Sequence, residues 1–140
     1  MRLISALCCE SVVVDQFTNR VSIFNLLEEV ITPTLPVGIF VVANFALWER
    51  EPGEADSRAS LIVRMNTNQL TQLPFEIAFQ DKSRCRTIVG LSGIVLNEVG
   101  QLTFEITVGD AIYSTWRVPV SLVAQQTAEA VAPAAPPGGA

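Results

Sequence analysis

The chain has 140 residues, enough for one domain with a buried core, and its 14 acids against 9 bases and no histidine give a net charge of −5. Hydrophobic residues make up 49% of it, yet no stretch approaches the ~20 uninterrupted apolar residues of a membrane-spanning helix, and the bases form no run suited to a phosphate backbone. Membrane-spanning helices and nucleic-acid partners are disfavoured, and the usual general base and commonest metal ligand is missing.

The N-terminus, Met1-Arg2-Leu3-Ile4-Ser5-Ala6-Leu7-Cys8-Cys9, has the basic and apolar parts of an export signal. Glu10 ends the apolar stretch too soon, and bulky Leu7 stands where a processing site before Cys8 wants a small residue, so a strand from Leu3 to Val14 is expected instead. Asp15 to Arg20 is a polar connection of hairpin length into a second strand, Val21 to Leu27, and a helical turn is tolerable near Asn25 to Val30. Gly38 to Trp48 is apolar on both parities, which predicts a central strand covered on much of both faces. Glu49 to Arg58 reads as a charged loop at one end of the domain. Ala59 to Asn66 and Pro74 to Phe79 are further strands, with a second tolerable helical turn at Asn66 to Gln72.

Thr87 to Leu96 is a long strand in which Gly90 or Gly93 marks a bulge. Leu102 to Val108 alternates strictly between apolar and polar, the pattern of an antiparallel strand with one buried and one wet face. Gly109-Asp110 then turns into Ala111 to Val120, where Ile112, Trp116, Val118 and Val120 share a parity and Pro119 points to an edge or an ending strand. The reading is all-β: an antiparallel β-sandwich of about eight strands over residues 1–123, jelly-roll-like or Greek-key in its connections. Residues 124–140, rich in Ala, Pro and Gly, are expected to be a disordered tail.

The chemistry is sparse. Gly90-Leu91-Ser92-Gly93 lacks the spacing and strand-to-helix setting of a nucleophile elbow. Adjacent Cys8 and Cys9 point to opposite faces of one strand and cannot share a zinc ion, and three cysteines are not a disulfide framework, so reduced thiols in a cytoplasm are expected. Cys85, between Arg84 and Arg86, is the one thiol with a claim to reactivity. The acids follow no calcium-loop spacing, and no cofactor or metal site is expected. Trp48, beside the charged loop, or Tyr113 offers a candidate aromatic platform for a sugar, against the plainer role of core packing.

The segment Cys9-Glu10-Ser11-Val12-Val13-Val14-Asp15, followed by Thr18 and by Ser22-Ile23-Phe24-Asn25, resembles the opening of an uncharacterised family of small bacterial β-sandwich proteins, a domain of unknown function. The Val-rich strand after Pro36 and the Gly-x-Leu-x-Phe-x-Ile pattern from Gly100 to Ile106 extend the resemblance over residues 1–123. It implies the sandwich fold and a bacterial, cytoplasmic setting, and names no catalytic residue. Within the motif, Asp15 and Asn19 are expected to shape the hairpin turn and Asn25 to cap a strand exit, while Glu10 needs solvent or a partner. Glu10, Asp15, Asn19, Asn25 and Trp48 are therefore the candidate site residues. The leading function is a non-enzymatic binding or assembly module contacting another protein, or a second copy of itself, through loops or a sheet edge. The alternatives are a carbohydrate-binding module and, behind it, an enzyme using carboxylates or Cys85.

Overall fold

The computed structural model describes residues 1–123. Its nine strands are β1 (Arg2–Val14), β2 (Val21–Leu26), β3 (Val30–Thr32), β4 (Val37–Glu49), β5 (Ser57–Met65), β6 (Asn68–Ile77), β7 (Arg84–Leu96), β8 (Gly100–Val108) and β9 (Ala111–Leu122). They form two packed sheets, ordered β2-β1-β4-β7 and β3-β9-β8-β5-β6. The tail assigned to residues 124–140 lies outside the described residues.

The core lies where the two sheets' inward parities meet. Ala59, Leu61, Val63 and Met65 of β5 and Leu102, Phe104 and Ile106 of β8 face Cys8, Val42, Ala46, Trp48, Leu91, Ile94 and Leu96 of the other sheet. Burying side chains of this size stabilises each by about 1.5–3 kcal/mol relative to exposure, which drives the sheets together. The alternation along β8 matches this arrangement residue by residue, with Thr103 and Glu105 half-exposed between buried neighbours.

The hairpin at Gly109-Asp110 forms as expected, with Gly109 at φ +60°. Ile112 does not share the buried side of Trp116 and Val118. A bulge inserts Tyr113 between the pairs Ile106–Ser114 and Thr107–Ile112, which resets the parity and turns Ile112 outward, 60% exposed. Pro119 stands one residue before the point where β9 gains a second neighbour. Val120–Leu122 pair with β3, in parallel, the one parallel pairing among the described strands. β3 is also the strand beyond the expected eight. The expected turn at Asn66 to Gln72 is instead the start of β6, which pairs with β5 from Met65–Asn68 onward and carries Pro74 at the sheet edge.

Besides a register shift between Leu3 and Ser5 of β1, two irregularities shape the first sheet. On β4 and β7 the inward positions jump from Ile39 to Val42 and from Ile94 to Leu91, so both strands change face at Phe40 and Gly93. Gly93, at φ +70°, supplies the left-handed backbone this requires, but the β4–β7 register runs past both Gly90 and Gly93 without a shift, so the expected bulge is corrected to a change of face with no inserted residue. The second irregularity is in the β1–β2 hairpin. β1 pairs with β4 only as far as Cys9–Ala43. Beyond that point Asn25 adopts φ +56° opposite Glu10, and the ribbon bends away. Its tip returns to the far end of the sheet, where the Arg86 guanidinium donates to the Asn19 carbonyl at 2.8 Å. Cys9, Ala43 and Phe45, on the side of this sheet opposite the core, are buried in consequence. The hairpin thus lies back across the outer face of its own sheet.

Candidate functional site

Of the five candidate residues, Trp48 belongs to the core. It is 0% exposed, its indole N–H donates to the Thr87 hydroxyl at 2.9 Å, and its ring packs on Tyr113 with centroids 5.7 Å apart. It presents no face to a sugar, so the platform reading of Trp48 is corrected: an indole beside a charged loop in sequence points inward from its strand. Trp116 is likewise engaged, its indole N–H donating to the Leu27 carbonyl at 2.8 Å.

Asp15 and Asn19 come together at the hairpin tip. One Asp15 carboxylate oxygen accepts from the Phe17 and Thr18 amides at 2.8 and 3.1 Å, and the Asn19 amide donates to the Asp15 carbonyl at 2.8 Å. These bonds, the Thr18 amide first, hold the Asp15 carboxyl below its ordinary pKa. Asn19 contributes through its backbone at φ +58°, a conformation asparagine tolerates better than most residues. Both therefore build the turn.

Glu10 and Asn25 form the second pair. The Asn25 amide donates to the Glu10 carboxylate at 2.7 Å across the bend of the ribbon. The cysteines around it are held as neutral thiols. Burial raises Cys8 to about 12, and burial also raises Cys9, whose sulfur lies 3.4 Å from the Ser11 carbonyl and 3.7 Å from the Ala43 carbonyl. Cys85 is raised as well, by burial first, with Asp56 adding to it, so flanking arginines do not make it a thiolate. Among the described residues no three Cys, Asp or Glu side chains are grouped to hold a metal ion.

The bend has a larger consequence for β4. Because β1 leaves it at Ala43, Val37–Val42 are paired with β7 on one side only. Among the described residues no other backbone group bonds to their free side. A cleft of about 410 Å³ opens there, lined by Glu10, Asn25, Leu26, Leu27 and Val30 on one wall and Val37 to Val42 on the other. Phe40 is 85% and Val41 55% exposed, and a Cβ at Gly38 would meet no atom within 4 Å. The edge is therefore accessible, uncharged and rich in strand-forming residues.

Sequence reasoning found Glu10 and Asn25, which line this cleft, and missed Phe40, Val41 and the open backbone beside them. The apolar run from Gly38 to Trp48 looks the same at both ends, and no residue in it signals that its neighbour departs halfway. No protein-family model and no curated protein matches the chain.

Proposed function

We propose that this chain is a non-enzymatic binding or assembly module that receives an extended segment of a partner protein along the open edge of β4. The observation that carries this reading is the six-residue stretch Val37–Val42, with unpaired backbone groups on one side and exposed Phe40 and Val41 beside them. Strand addition satisfies such backbone groups directly, and natural sheets rarely leave an uncharged edge of this length uncovered. The neutral thiols, the structural engagement of Asp15 and Asn19, and the absence of histidine from the sequence weigh against catalysis. Burial of Trp48 weighs against the carbohydrate alternative. Three free cysteines, two of them buried, fit a reducing cytoplasm, the compartment we assign.

The test is site-specific photo-crosslinking in lysate of the source cells, with a photoreactive phenylalanine at position 40 or, as control, at Ile112, an equally apolar exposed site on the other sheet. Adducts at position 40 that are absent from position 112 and lost on Val41→Lys are expected. Equal labelling at both positions, or labelling at 40 that survives the lysine, would overturn the reading.

A further inference from the structure

The rim of the β4 cleft is acidic. Glu10 lines it, and exposed Glu28 and Glu29 lie on the short segment between Leu27 and Val30, both of which line it. None of these three carboxylates joins an ion pair among the described residues. The lining contains no lysine or arginine. Six of the nine bases, Arg2, Arg50, Arg58, Lys82, Arg84 and Arg86, gather where β1, β5 and β7 begin and β4 and β6 end, the opposite end of the domain, while Arg20 is at the hairpin tip, Arg64 is paired with Glu105, and Arg117 stands on β9 outside the cleft lining. The cleft lining and its adjoining segment therefore carry three carboxylates and no base, beside a strand edge that is itself uncharged.

We propose that the segment received by β4 is basic: an extended, strand-forming stretch of another protein with Lys or Arg among apolar residues. This rests on the strand-addition reading above and adds the partner's chemistry to it. Edge pairing supplies register and backbone bonds, Phe40, Val41 and Leu26 supply apolar contact, and Glu10, Glu28 and Glu29 select the sign of charge. The same charges argue against a second copy as occupant, since pairing this edge with itself across a two-fold would bring both sets of three carboxylates to one seam whose cleft lining holds no base.

Two peptides test this on the full chain by amide-resolved NMR titration: acetyl-KVTVKVK-amide and its counterpart acetyl-EVTVEVE-amide. The lysine peptide is expected to shift the amides of Val37–Val42, to bind about tenfold more tightly than the glutamate peptide, and to lose about tenfold in affinity in a Glu10→Gln, Glu28→Gln, Glu29→Gln variant, an effect that added salt also produces. If both peptides bind the edge equally, strand addition stands and the basic partner is overturned. If neither peptide perturbs Val37–Val42, both fall. A chain that self-associates with these amides already protected, and that no peptide displaces, gives the edge to a second copy and also overturns the proposal.

Discussion

The two halves of β4 have similar composition and opposite surroundings. From Ala43 to Trp48 the strand has β1 on one side, β7 on the other, the core against one face and the folded-back hairpin over the other, and Ala43, Asn44, Phe45, Ala46 and Trp48 are all buried. From Val37 to Val42 the β1 side is open and Gly38, Phe40 and Val41 are exposed. The difference originates outside β4, at the bend where Asn25 and Glu10 meet. One left-handed asparagine on β2, a strand that pairs with β1 and not with β4, marks where a buried strand becomes an available edge, and the same bend lays the hairpin over the buried half.

The sharpest way to test the contrast is to truncate an aromatic in each half. Trp48→Ala should destabilise the fold by about 3–5 kcal/mol through the cavity it leaves, whereas Phe40→Ala should change stability by no more than about 0.5 kcal/mol, both measured by chemical denaturation. Comparable losses from the two would contradict the division of β4. The bend itself is next: Asn25→Val places a β-branched residue at φ +56° and removes the bond to Glu10, and should cost about 1–3 kcal/mol. Its signature is increased exposure of Cys9 to alkylation, because the hairpin loses its trajectory over the outer face.

Within the buried half, Asn44 faces the core with its amide nitrogen 3.4 Å from the Leu7 carbonyl and its Oδ1 without a hydrogen-bond partner among the described residues. Asn44→Leu, of similar volume, should be neutral or stabilising, since it removes a buried polar group whose bonding is incomplete. A loss of more than about 2 kcal/mol would show that the amide is better satisfied than this geometry allows.

The smallest effect concerns the hairpin tip and is pH-dependent. Asp15 has a folded pKa below its unfolded value, so folding favours the carboxylate. That stabilisation is fully present above the unfolded pKa of roughly 3.9 and is lost as pH falls through the lower folded value. The stability difference between the native chain and Asp15→Ala should therefore shrink from about pH 5 down to about pH 2. A difference independent of pH over this range would detach the carboxylate from the turn.

Much of this architecture is legible in the residues themselves. Strict alternation marks Leu102 to Val108, Gly109 marks the turn after it, and Asp15 with Asn19 marks the hairpin tip, because each signal is local to the backbone that obeys it. β3 is not legible: it has three residues, and its partner β9 lies some ninety positions later in the chain. The face change at Phe40 is invisible on β4 because the residue that permits it, Gly93, is on β7. Trp48 was ambiguous because periodicity gives the parity of a side chain and not what covers it. The open edge was missed for the same reason, since it depends on where β1 departs and not on the composition of β4.

Hydrogen exchange resolved at single amides along β4 in the unliganded chain tests the central claim most directly. Those amides of Val37–Val42 that are not bonded to β7 should exchange orders of magnitude faster than the amides of Ala43–Trp48. Uniform slow exchange from Val37 to Trp48 would mean that the edge is already paired and would contradict the account.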